Sequence, residues 1–339
     1  MKEVAVQQAV GTVLAHDLTQ IIPGEYKGAK FKKGHIITEE DIPLLLSMGK
    51  KHLFVLEKND SDVHENEAAY RIASKAAGEG IDLTEPSEGK IELKAAVDGL
   101  LKIDRDRLFE LVSQDEIMFA TIHENIVVRK GEKLAGTRII PLFVAEEILQ
   151  KAEAILAAGP IVKIVPLKEM KVGVVTTGSE VYSGIIKDAF GPVLVKKFGA
   201  LGSKVEKQLF ADDDEDMIAD CIKQLIDEGM DIVGITGGMS VDPDDRTPSG
   251  IRKAGGEVVS YGAPVLPGAM FMLSYIDDVP VVGLPGCVMY SRTSIFDLIV
   301  PRLLAGEKIT KQDINKLAHG GLCLNCKTCT YPVCGFGKA

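Results

Sequence analysis

From Lys171 onward the chain alternates short apolar runs with amphipathic ones. "KVGVV", "DIVGI" and "DVPVVGL" are rich in Val and Ile, and with "SKVEKQLFA" and "GEVVSYG" they predict strands. Between them, "GPVLVKKFGALG", "DMIADCIKQLIDEG", "GIRKAGG" and "YSRTSIFDLIVPRLLAG" predict helices. In the second of these, Ile218, Cys221, Ile222, Leu225 and Ile226 recur at helical spacing, and Gly229 stands at the stop. Strands that are apolar on both faces need cover on both sides, and their alternation with helices implies mostly parallel order. The expectation is a doubly wound, mostly parallel α/β domain over 168–308.

The first 165 residues pattern differently. "AVGTVLAHDL" and "KHLFVLE" are β-like, and "TEEDIPLLLSMGKK" predicts a short helix with Thr38 as N-cap and a stop near Gly49, which makes 1–60 a small α+β unit. Over 61–165, "SDVHENEAAYRIASKAAGEG" predicts a helix ended by Gly78 or Gly80. "EGKIELKAAVDGLLKID" through "NIVVRKGEKLAGTRIIPLFV" predicts short strands, and "AEEILQKAEAILAAG" predicts a helix stopped by Gly159 and Pro160. This middle region carries no catalytic signature. A cysteine-rich tail, 320–339, closes the chain.

At 339 residues and 46% hydrophobic content the chain can bury two or three cores. A net charge of -10 excludes a general nucleic-acid or anionic-membrane binder, since those surfaces need a basic excess. With no apolar run of about 18 residues and no secretory pattern at the start, a cytoplasmic protein is expected.

Three predicted strands end in Gly-containing polar turns: Thr176, Thr177, Gly178, Ser179 and Glu180; Thr236, Gly237, Gly238, Met239 and Ser240; Gly283, Leu284, Pro285 and Gly286. In an open parallel sheet the carboxyl ends of the strands share one edge, where ligands collect at a topological switch point. Glycine lets backbone approach a phosphate closely, and helix-start N–H groups attract it. The bland alternative is that each Gly serves only its own turn. The acids point further: Glu180, Asp213, Asp242, Asp244 and Asp245 would repel a phosphate unless a cation lay between, and Mg2+ takes one or two carboxylates plus phosphate oxygens. Asp212, Asp214 and Asp242 are expected as caps or turn residues. Gly238→Val is expected to weaken binding without unfolding the domain.

The segment from about Lys171 to Gly306 resembles the molybdopterin-binding domain shared by molybdopterin molybdotransferase and molybdopterin adenylyltransferase. The matching motifs are "TTGSE", "TGGMSVDPDDRTP", "PGAM" (Pro267, Gly268, Ala269, Met270) and "GLPG" followed by a helix. The resemblance implies that Asp245 binds Mg2+ or acts in the chemistry, with Asp213 and Glu180 as further catalytic acids. It also implies that the glycine turns, with Pro267 and Gly268, hold the phosphate of molybdopterin. The implied activity is Mg-assisted insertion of molybdate into molybdopterin or its adenylylated form during molybdenum cofactor biosynthesis, by a transferase that commonly assembles as a homo-oligomer. A weaker likeness links "FKKGHIITEEDIPLLLSMGKKHLFVLE" to the segment preceding that domain in the molybdotransferases. The sequence departs from the family in having Met239 where a small or hydroxyl residue is usual and "GCVM" where "GNP" is common. It has no motif of the "SAMDGYA" kind. A non-catalytic molybdopterin carrier or sensor, with a redox or docking metal tail, is the alternative.

That tail, "CLNCKTCTYPVC", spaces Cys323, Cys326, Cys329 and Cys334 as C-x2-C-x2-C-x4-C, which suits an iron-sulfur cluster or Zn2+ in a reducing compartment. An electron carrier is the third reading. Cys221 is expected in the core, and Cys287 is expected either in the core or facing the ligand. The six histidines show no paired ligand spacing, although His319 is a candidate additional tail ligand.

Overall fold

The computed structural model describes residues 2–22, 26–56, 62–240, 242 and 245–338, arranged as two compact units. The first comprises 1–94, 104–122 and 133–162, and the second 95–103, 123–132 and 163–339.

In the first unit, strands Lys2–Ala5, His52–Leu56 and Val13–Leu14 form an antiparallel sheet over a core that includes Val6, Leu14, Leu45 and Leu53. The helix Asp41–Ser47 begins later than its sequence suggests, with Glu40 at the N-cap. Thr38 does not cap it: its hydroxyl donates to the Asp41 carboxylate at 2.9 Å instead of accepting a helix N–H. Helix Glu65–Ala76 is capped by His64, whose ring nitrogen accepts from the Asn66 N–H. It ends at Ala76, before either glycine, because Ala77 turns extended and bridges Val162.

Helices Glu65–Ala76 and Glu146–Leu156 are joined by Arg71. Its guanidinium donates two 2.7 Å bonds to Glu146 and bonds of 2.9 and 3.1 Å to Glu153. Those bonds hold both carboxyls below their ordinary 4.5. A carboxyl lowered in the folded state contributes stability that is complete above its unfolded pKa and disappears as pH falls through the folded one. Arg71→Met is therefore expected to cost about 1–2 kcal/mol at pH 7. It should also lessen the loss of stability on acidification from about pH 5 to pH 3. Thermal melts of wild type and variant across that window check this, and parallel curves would contradict it.

The second unit carries the predicted α/β domain. Its strands are β1 (Lys171–Thr177), β2 (Lys204–Ala211), β3 (Ile232–Thr236), β4 (Glu257–Tyr261), β5 (Met272–Ile276) and β6 (Val279–Leu284), in spatial order β2-β1-β3-β6-β5-β4. The pairings from β2 to β6 are parallel, and β5 and β4 add antiparallel edges. β5 is absent from the sequence expectation. Pleating sends alternate residues to opposite faces. Val172 and Val174 meet Leu194 and Phe198 of helix α1 (Phe190–Ala200) and Phe296 and Ile299 of helix α4 (Ile295–Leu304). Val175 meets the other core, which holds Ile218, Ile222 and Leu225 of helix α2 (Glu215–Asp227) and Ile251 of helix α3 (Thr247–Lys253). The sheet is thus covered on both faces. Asp214 caps α2 by accepting from Asp216 and Met217 N–H, and Gly229 follows its end at φ +82°.

From β1 the chain moves to β2 on one side and then to β3 on the other, so the switch point lies between β1 and β3. The register aligns Thr176 with Thr236 and Thr236 with Leu284, which brings the carboxyl ends of β1, β3 and β6 side by side.

Candidate functional site

Backbone constraints build the turn after β3. Gly237 and Gly238 have φ of +91° and +52°, in the region that favours glycine. A Cβ on Gly237 would lie 2.3 Å from the Thr177 carbonyl oxygen. One on Gly238 would lie 2.9 Å from the Thr247 hydroxyl and 3.3 Å from that of Thr177. The same hydroxyls tie the turns together: Thr177 Oγ1 donates to the Thr236 carbonyl (3.2 Å) and lies 3.0 Å from Thr247 Oγ1, which donates to the Gly237 carbonyl (2.9 Å). A valine at position 238 would therefore strain this junction itself, so the expectation that Gly238→Val spares the fold is corrected.

Gly237, Gly238, Met239 and Ser240 line a cavity of about 280 Å3 together with Asp245, Pro285 and Gly286, and Phe190 and Met270 complete its wall. The Met239 side chain is 4% exposed and packs in the core against Gly283, where a Cβ would meet its Cε at 2.6 Å. This pairing accounts for methionine at 239: the glycine in β6 makes room for the thioether. Tyr261 donates to the Met239 and Ser240 carbonyls at 3.2 Å each, fixing the far side of the loop. Burial and the nearby Asp245 charge push the Tyr261 hydroxyl up.

Asp245 stands at the cavity, where one of its carboxylate oxygens accepts the Ser240 N–H at 2.9 Å. Asp213 serves the neighbouring turn, accepting from the Ser179 N–H (3.0 Å) and hydroxyl (3.1 Å). Asp212 also accepts from the Ser179 hydroxyl, at 2.5 Å, and this bond with the Asp213 N–H holds its carboxyl below the usual range. Glu180 is exposed on the short helix Ser179–Tyr182, which starts from Gly178 at φ +130°. Asp244 lies outside the described residues. Among the described residues no three His, Cys, Asp or Glu side chains stand together in a way that could hold a single metal ion.

Several residues singled out from sequence sit behind the cavity. Thr176 and Thr236 are buried between the strands, where Thr176 accepts from Gln208 at 2.8 Å. Leu284 is a core residue. Pro267 and Gly268 pack under the start of α4: the Pro267 carbonyl accepts the Ile295 N–H, and a Cβ on Gly268 would lie 2.5 Å from Ile295. Phe190, Thr247 and Tyr261 were not among the expected site residues. The proximity of Thr247 to Asp245 in the chain is the one signal that could have marked any of them.

The cysteine tail is docked on the second unit. The Leu266 N–H donates to the Gly321 carbonyl and the Cys323 N–H donates to the Leu266 carbonyl, both at 2.8 Å. Phe336 is 5% exposed in the core, and Tyr331 donates to the Asp297 carbonyl at 3.0 Å. Cys323, Cys326, Cys329 and Cys334 all line one cavity of about 500 Å3, and His319 is not part of its wall. Cys221 and Cys287 are half-buried, and burial raises both thiols. Among the described residues no helix is long and apolar enough to cross a membrane.

Residues 173–305 match the family model described as "Probable molybdopterin binding domain", and residues 3–57 match a domain of unknown function, DUF8806. A molybdopterin molybdenumtransferase of Staphylococcus aureus (strain MSSA476) is 28% identical over 171 residues, covering 48% of this chain and 40% of that protein. A CinA-like protein of Syntrophus aciditrophicus is 33% identical over 88 residues, covering 26% and 20%. The chain thus spans between one fifth and two fifths of the length of these relatives. Among solved structures, the tungsten cofactor synthesizing protein MoaB from Pyrococcus furiosus aligns with a TM-score of 0.34 at 20% identity, over 42% of this chain and 99% of that one. The molybdopterin biosynthesis MoeA protein from Pyrococcus horikosii aligns with a TM-score of 0.33 at 18% identity, over 90% and 74%. The segment 173–305 is a domain of the molybdopterin-binding family.

Proposed function

We propose that the second unit binds molybdopterin by its phosphate during molybdenum cofactor biosynthesis, and that it inserts molybdate into the adenylylated pterin with release of the adenylyl group. The observation that carries this reading is the cavity formed by the turns after β3 and β6 with Asp245 at its wall. At about 280 Å3 it suits the phosphorylated end of a ligand whose remainder lies outside. The glycine backbone admits the phosphate oxygens closely, while the Thr177–Thr247 junction and the Tyr261 hydroxyl hold the loop in place. One oxygen of Asp245 is engaged by Ser240, and the carboxylate otherwise borders the cavity, which fits a magnesium ion shared with phosphate oxygens. Held by Asp245, the one predicted acid on the cavity wall, magnesium would supply neutralisation of charge developing at phosphorus. The four tail cysteines are, in this reading, ligands of an iron-sulfur or zinc centre.

Purified protein incubated with adenylylated molybdopterin, Mg2+ and molybdate is expected to release AMP in proportion to pterin consumed. Tight binding of the pterin without AMP release would overturn the transferase reading and support the carrier or sensor instead, in keeping with the lack of a "SAMDGYA"-type motif.

A further inference from the structure

We propose that the tail cysteines hold a four-iron, four-sulfide cluster and not a single zinc ion. This deepens the metal-centre reading above and depends on no pterin. The sequence spacing alone leaves both open; of three structural observations, scale separates them, and charge and frame favour a centre held by all four thiolates.

The first is scale. Tetrahedral zinc with bonds of about 2.3 Å needs its four thiolates within about 4 Å of one another. The described cysteines do not gather in that way, since no three potential ligands cluster tightly enough for one ion. All four line one cavity of about 500 Å3, a volume with room for a cluster of eight heavy atoms.

The second is charge. A cluster ligated by four thiolates is an anion. Among the described residues, the charged side chains on the cavity wall are Arg292 and Lys327, and no carboxylate lines it, in a protein whose net charge is -10. The Arg292 guanidinium is held by the tail itself, donating to the Lys327 carbonyl at 3.0 Å. A cationic wall offsets the negative charge of a four-thiolate centre, which is net anionic whether it holds an iron-sulfur cluster or zinc.

The third is the frame. Cys323 is fixed by its N–H bond to Leu266, Cys334 packs against the main core, and Cys329 lies 3.4 Å from the Thr293 hydroxyl. Cys326 stands exposed on the loop between these anchors. In the two-cluster ferredoxin run the fourth cysteine serves another cluster. Here Cys334 returns to the same cavity as the other three, so the four form one ligand set.

The test uses full-length protein reconstituted anaerobically with ferric iron, sulfide and a thiol reductant. Iron and acid-labile sulfide are expected at about four each per chain, with a broad visible absorption that dithionite bleaches. Cys326→Ser and Cys329→Ser should each lose most of the iron and sulfide, while Cys221→Ser keeps both. Circular dichroism establishes that the variants fold. If they do not, the wild-type stoichiometry decides alone. Zinc at one per chain without sulfide would overturn the cluster but leave a metal centre. Protein that takes up neither metal, or cysteine variants that retain wild-type iron, would overturn both. Because no pterin is present, none of these results bears on the glycine cavity.

Discussion

Asp245→Asn is expected to lower magnesium-dependent AMP release from adenylylated molybdopterin by at least about 100-fold, the scale for losing a preorganised electrostatic group at a reacting centre. The substitution is chosen because the asparagine oxygen can still accept the Ser240 N–H that Asp245 accepts at 2.9 Å, so the loop keeps its shape while the negative charge is removed. The loss should therefore appear in kcat, with an unchanged melting temperature, and raising Mg2+ should recover part of it. Asp213→Asn is the internal comparison. That residue bonds to Ser179 at the adjacent turn, away from the cavity wall, and its replacement should cost less. Equal activity of Asp245→Asn and wild type would remove this carboxylate from the chemistry.

Gly237→Ala should strongly destabilise the second unit. Its φ of +91° is disfavoured for any residue with a Cβ, and the added carbon would lie 2.3 Å from a backbone oxygen, which cannot swing aside as a side-chain tip can. Left-handed strain and overpacking together predict a loss of about 2–4 kcal/mol. For a unit of this size the melting temperature should fall by roughly 5–15 °C. Gly286→Ala is the control: the nearest atom to its new Cβ is 4.0 Å away, and its φ is -53°. It should melt as wild type does. If both variants melt alike, the junction of Thr177, Gly237 and Thr247 does not organise the turn.

The parallel strands were legible because their chemistry is one-dimensional: Val172, Val174 and Val175, or Ile232, Val233 and Ile235, are apolar whichever face they present, which is the signature of a sheet covered twice. Helix α2 was legible by the recurrence of Ile218, Ile222 and Leu225. β5 was not, because "FMLSYIDDVPVVGL" folds back on itself at Asp277 and Asp278, with Asp277 at φ +52°, and an apolar run that short carries no period of its own. The turns announced themselves by glycine, but sequence could not separate backbone that lines the cavity from residues that support it. Thr176, Thr236, Pro267 and Gly268 belong to the second kind, since their positions depend on Gln208 and Ile295, which are distant in the chain. The fit of Met239 over Gly283 was illegible for the same reason: each residue looks odd alone, and only the sheet brings them together.

The central claim is that the turns carrying Gly237, Gly238, Pro285 and Gly286 grip the phosphate of a pterin. Its most direct test is calorimetric titration of the protein, in Mg2+, with molybdopterin and with the same pterin after enzymatic removal of the phosphate. The expected result is that dephosphorylation weakens binding by at least about 100-fold, the scale of two or more charge-assisted hydrogen bonds. Equal affinity for the two forms would contradict the claim.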